Sequence, residues 1–155
     1  MLPKPTKGMS SMLNSFTINA PIKVSDKQLA NLLCPIFDWN DLRTRYWSIV
    51  EVAYRPTQEE IEDKSKYGEF AGYPYAMVNH RNFKIRVITE EDGTKVFNLA
   101  KLKEGLQVMA DKYPHYFNHL INPNNHSSDY DFMRAEHYLP DVFLQCCFYG
   151  EVIYS

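Results

Sequence analysis

His115 and His119 stand four residues apart, a spacing that lines two imidazoles along one helix face and can hold zinc. His126, Asp129, Asp131, Glu136 and His137 follow closely and could supply a third ligand. Against that chemistry, Phe117, Leu120 and Ile121 claim the buried side of the same helix and turn both histidines to solvent. No glutamate stands between them, as a metalloprotease helix would need. Cys146 or Cys147 could act as a nucleophile only as a thiolate in an exposed, electropositive setting, whereas FLQCCFY has the composition of a core segment. Gly-rich phosphate loops are absent, and the carboxylates of Glu59, Glu60, Glu62, Asp63 and of Glu90, Glu91, Asp92 belong to solvated helix and turn surfaces. No catalytic residue, metal site or cofactor is therefore expected. The chain is expected to bind rather than to catalyse.

Residues suited to binding are easier to find. WNDLRTRYW places Arg43 and Arg45 among Trp39, Tyr46 and Trp47. Interleaved arginines and aromatics can stack on bases, grip phosphates or form a protein–protein hot spot. The competing reading puts Trp47 in the core, with the arginines snorkelling along a strand edge. A second candidate is the loop from Tyr67 to Tyr75, where Phe70, Tyr73 and Tyr75 stand beside Gly68 and Gly72. Long aromatic loops without period are more often binding loops than filler.

The elements that must position these residues follow from length and patterning. A chain of 155 residues with 45% hydrophobic content makes one domain, able to bury a core without staples. Residues 1–13 are expected to be a flexible tail and 14–155 a single domain. Eleven Tyr, nine Phe and two Trp are many for one small core, so some rings should reach the surface. A net charge of −2 gives no broad footprint for nucleic acid. Cys34, Cys146 and Cys147 do not make a disulfide framework and are expected as reduced thiols. With no apolar run of membrane length and no signal-peptide core, the expected location is the cytoplasm.

Phe16, Ile18, Ala20, Ile22 and Val24 alternate and predict a half-buried strand, at an edge because Pro21 cannot donate to a ladder. Ser25 and Gln28 form a capping box for a helix that Pro35 should end or kink. Residues 45–54 predict a central strand. Thr57 and Glu60 cap a short helix running to about residue 66, and Phe83 to Thr89 and Thr94 to Leu99 form a hairpin around Asp92-Gly93. Asn98 caps the clearest helix, and Pro114 opens the next. Residues 122–138 are expected as loop, Pro140 as the start of a last helix ended by Gly150, and 151–154 as a closing strand. The fold class is α+β: an antiparallel sheet of three to five strands with helices packed on one face. Gly105, inside a helix, predicts close approach of another backbone.

Two stretches, FNLAKLKEGLQVMADKYPHYF (97–117) and PDVFLQCCFYGEVIY (140–154), resemble the C-terminal half of a widespread family of small phage and prophage proteins. Gly105, Leu106, Met109, Ala110, Lys112, Tyr113, Pro114 and Phe117 carry the first match. Asp141 to Gln145, Gly150 and Glu151 carry the second, and SDKQLANLLC (25–34) resembles the family's first helix. The chain departs from the family after Cys34, where PIFDWNDLRTR precedes Tyr46. The resemblance implies an accessory viral gene acting in the cytoplasm of an infected or lysogenic bacterium. Such genes often encode inhibitors of host defence, anti-CRISPR-like or of another kind. The expected partner is then a host protein. The alternative is a small nucleotide, a defence signal held by Arg43, Arg45 and Arg81 and stacked on Trp47 or Tyr73 in a pocket between protomers. A homodimer is compatible with either.

Overall fold

The computed structural model describes residues 14–38, 47–122 and 129–154. Three strands, β1 (Ile49–Val52), β2 (Lys84–Thr89) and β3 (Gly93–Asn98), form an antiparallel meander in the order β1-β2-β3. The register sets Val52 opposite Ile85 and Ile85 opposite Phe97. Side chains alternate across a sheet, so Phe83, Ile85, Val87, Thr89 and Phe97 form a buried face, while Ile49, Glu51, Arg86 and Val96 look outward. Three residues link β2 to β3. Gly93 supplies the positive φ (79°) that this connection needs, and the Asp92 N–H donates to Thr89 Oγ1 at 2.8 Å.

Helices cover the buried face, as an α+β fold requires. The Ser25–Gln28 capping box opens α1 (Asp26–Asp38): the Gln28 N–H donates to Ser25 Oγ at 3.1 Å, and the Ser25 N–H to Gln28 Oε1 at 2.8 Å. Thr57 caps α2 (Gln58–Glu62) with a second box, and Asp63 then caps α3 (Lys64–Tyr67). Asn98 accepts from the Lys101 N–H to start α4 (Leu99–Lys112), and Pro114 begins α5 (Pro114–Ile121). Helix α6 (Asp129–Tyr149) buries Val142, Phe143, Leu144, Gln145, Cys146 and Phe148 in an almost unbroken run. A helix apolar on nearly every side belongs at the centre of a fold, and α6 packs against α4, α5 and α1.

The structure corrects the sequence-based expectations at five places. Residues 16–24 join no strand among the described residues: they border a cleft beside α4 and α5, with Phe16, Ile18 and Ile22 exposed. Pro35 does not end helix α1, which runs on to Asp38 with Leu32, Leu33 and Ile36 packed in the core. Of the strand expected at 45–54, residues 45 and 46 lie outside the described residues and the rest gives only β1, which among the described residues lies at an edge; β2 is central. Helix α6 starts eleven residues earlier than Pro140 and carries that proline inside. The last residues form no strand, since a side chain takes their main-chain N–H groups, as described below.

Among the described residues, no helix is long and apolar enough to cross a membrane.

Candidate interaction surface

An aromatic ladder climbs from the core to the surface at the end of α1. Phe37, in the last turn of α1, stacks on Tyr75 with ring centroids 6.1 Å apart and planes within 5°. Tyr75 sits on a 3-10 turn (Pro74–Met77) that directs it inward, and its hydroxyl reaches Cys34 Sγ at 3.5 Å. Tyr73, the residue before that turn, stacks on Tyr75 at 5.3 Å and remains 46% exposed. Gly72 makes this path possible. Its φ of 96° suits glycine, and its N–H donates to the Ile61 carbonyl, fastening the loop to α2.

A separate cleft of about 510 Å³ lies between the start of α1 and α3. Its wall carries Lys27, Lys64 and Lys66 together with Asp26 and Glu69, and Lys27 pairs with Glu69 at 3.0 Å. Arg81 is exposed in the turn that leads into β2.

Of the candidate contact residues, Tyr73 is displayed to solvent and Tyr75 is buried beneath it. Trp47 is also buried, at 4% exposure, and the expectation of a surface tryptophan there is corrected. Its indole N–H donates to Asp141 Oδ1 at 2.6 Å, and its ring meets Phe148 edge-on at 5.9 Å. A ring with a satisfied polar end is stable in a core. Trp39, Arg43, Arg45 and Tyr46, with the side chain of Phe70, lie outside the described residues.

The remaining chemistry candidates have structural surroundings. His115 and His119 meet edge to face at 5.0 Å, with His119 half-buried. Among the described residues, no group of three or more His, Cys, Asp or Glu could hold a metal ion. The third ligands considered from His126 to His137 lie outside the described side chains. Burial pushes the Cys146 thiol up to about 11 and raises Cys147 well above its ordinary value. Both sulfurs therefore stay protonated at neutral pH, the opposite of an activated nucleophile.

Reading the sequence missed a buried polar clamp. Gln145 is fully buried, and all four of its hydrogen-bonding positions are used. Its amide nitrogen donates to Asp141 Oδ2 at 2.9 Å and to the Tyr154 carbonyl at 3.0 Å. Its oxygen accepts the N–H groups of Ile153 and Tyr154, each at 2.9 Å. Asp141 thus joins Trp47 to Gln145, and Gln145 holds the C-terminal segment. The legible signal was an Asp and a Gln four residues apart inside an apolar helix run. A second tie joins the hairpin to the same segment: the hydroxyl of Tyr149 donates to Asp92 at 2.7 Å and that of Tyr154 to Glu91 at 3.0 Å.

Comparison with models of protein families, with curated proteins and with solved structures finds no match to the chain. Within the stretches 97–117 and 140–154, Gly105 faces α6, Asp141 and Gln145 form the clamp, and Gly150 ends α6 at a φ of 74°.

Proposed function

We propose that this chain is a phage-type accessory binding protein that inhibits a host protein, a defence component, by covering its surface. The observation that supports this reading is the Phe37–Tyr75–Tyr73 ladder. It holds an exposed tyrosine rigidly on the core, beside the helix end from which the Arg43–Arg45 segment departs in sequence. Tyrosine and arginine are enriched at hot spots, and a ring already held in place loses little freedom on binding.

Pull-down from a bacterial lysate should recover one dominant partner. Tyr73→Ala, and separately Arg43→Glu with Arg45→Glu, should abolish recovery while the melting temperature shifts by only a few degrees. Expression of the wild-type chain should restore phage plating on a host that carries the partner's defence system. Recovery that survives both sets of substitutions places the contact elsewhere.

The cleft between α1 and α3, where Lys64 and Lys66 stand beside the Lys27–Glu69 pair and Asp26, supports the second reading, sequestration of a small nucleotide. Its volume lies in the range of small-ligand pockets. A thermal-shift panel of linear and cyclic nucleotides separates the two readings. A ligand at a hundredfold over its Kd adds roughly 2.7 kcal/mol of stability, and a flat panel removes the nucleotide reading.

A further inference from the structure

The segment 16–24 has the pattern of a strand and none of its partners. Phe16, Ile18 and Ile22 are 88%, 74% and 58% exposed, and the main chain joins no helix or strand among the described residues. The same molecule carries an open strand edge. Among the described residues, nothing pairs with the outer side of β3.

The facing groups on that edge follow from the ladder. The Ala53 N–H donates to the Lys84 carbonyl and the Ser48 N–H to that of Ile88, so Lys84 and Ile88 turn their main chain toward β1. By antiparallel alternation, Ile85, Val87 and Thr89 turn theirs toward β3, which leaves the N–H and C=O of Thr94 and Val96 on the open edge. Beside this edge runs a groove of about 350 Å³, walled by Phe97, Val108 and Cys147 with Lys101 and Glu104 at its rim.

We propose that the 16–24 arm of one copy adds as a parallel strand to the outer edge of β3 of a second copy, and reciprocally, giving an arm-exchanged dimer. Pro21 selects the arrangement. It has no N–H to give, so it must face away from β3, and Ile18, Ala20 and Ile22, of the other parity, then turn their main chain to Thr94 and Val96. In a parallel pair this sets those three side chains level with Lys95 and Phe97, on the groove side of the sheet. An antiparallel pair would leave them on the outer face. With Pro21 on the new outer edge, further strand addition is blocked and the exchange closes at two copies.

Exchange between copies is favoured over closure within one chain. The arm passes the side of α4 that bears Lys103, Leu106, Gln107 and Ala110, where it borders a cleft of about 870 Å³. The groove beside β3 is bordered by Lys101, Glu104, Gly105 and Val108, on roughly the opposite side of α4 at 3.6 residues per turn. The arm would have to cross its own helix to reach its own groove. A neighbouring molecule presents it directly.

Light scattering on the full chain across the micromolar range should give twice the chain mass. Ile18→Glu with Ile22→Glu should give the single mass with the melting temperature held, since those side chains are already exposed in one copy. Val96→Pro should do the same, because the N–H it removes faces away from β2. If that variant melts early, the arm variant decides alone. Where both fold, mixing them should restore a one-armed dimer, since one partner has the intact arm and the other the intact edge. A wild-type chain that stays at single mass overturns the proposal. So does a dimer that survives the arm substitutions, or a mixture of two folded variants that stays at single mass.

Discussion

Gly105 and Cys147 bring α4 and α6 to backbone distance. A β-carbon at position 105 would lie 3.2 Å from the Cys147 Cα and 3.3 Å from its Cβ, and would overlap its Sγ. Glycine inside a helix costs ~1 kcal/mol relative to alanine, and the close crossing explains its presence. Gly105→Ala is therefore expected to destabilise by ~1–3 kcal/mol through overpacking. A urea melt reads this as a lowered midpoint. Adding Cys147→Ala removes the overlapping sulfur, so the double variant should lose less than the sum of the single changes. A raised midpoint for Gly105→Ala would sink the packing account.

Gln145→Leu keeps the volume of the clamp and removes its polar atoms. It leaves the Ile153 and Tyr154 N–H groups and the Tyr154 carbonyl without their partner. The C-terminal segment can turn some of these groups to water, so the expected loss is about 2–3 kcal/mol rather than the full cost of three orphaned groups. Amide exchange at Ile153 and Tyr154 should rise more than at Val87 in the central strand. Equal protection at the two places would contradict the clamp.

Trp47→Phe tests whether this ring serves the core or a partner. The change removes the donor to the Asp141 carboxylate, a charge-assisted bond whose loss costs about 2–3 kcal/mol. Stability should fall by that order, while recovery of the partner below the melting range stays at the wild-type level. Loss of partner without loss of stability would return Trp47 to the contact surface.

How much of this was legible depended on whether the deciding contact was local. The Ser25, Thr57 and Asn98 caps each join residues three apart, and all three form. Phe83 to Thr89 alternates because both neighbouring strands are close in sequence or strongly patterned. Phe16 to Val24 alternates equally well, yet period alone does not supply a partner edge. Pro140 looks like a helix start, and only the helical backbone of the residues before it, from Asp129, shows that α6 passes through it. Gly105 was readable because an unexplained glycine points to a neighbour, and the neighbour proved to be Cys147 of α6. Trp47 was ambiguous in sequence because its partner, Asp141, is 94 residues away. The Trp39–Tyr46 part of the candidate surface lies outside the described residues, so its assignment still rests on residue types.

Tyr54 carries the pH dependence. Its ring stacks on His80 at 5.3 Å and meets Phe83 edge-on at 6.1 Å. Its hydroxyl is shielded from solvent and, among the described residues, has no hydrogen-bond partner. Burial, followed by the nearby Tyr67 and Glu60, pushes its pKa from 10.0 up to about 12. The folded chain thus keeps this proton where the unfolded chain releases it. That contribution to stability is complete below pH 10 and declines as pH rises toward about 12. Tyr149 and Tyr154 shift in the same direction, Tyr149 chiefly by burial and Tyr154 chiefly by its bond to Glu91, and they steepen the decline. Tyr54→Phe removes an unpaired buried hydroxyl while keeping the ring, so at neutral pH it should be neutral or stabilise by up to ~1 kcal/mol. Above pH 10 its advantage over wild type should widen, because phenylalanine has no proton to lose. Urea midpoints for both proteins at neutral pH and through the alkaline window measure this. A gap that narrows as pH rises would show that the Tyr54 hydroxyl is solvated or paired in the folded chain.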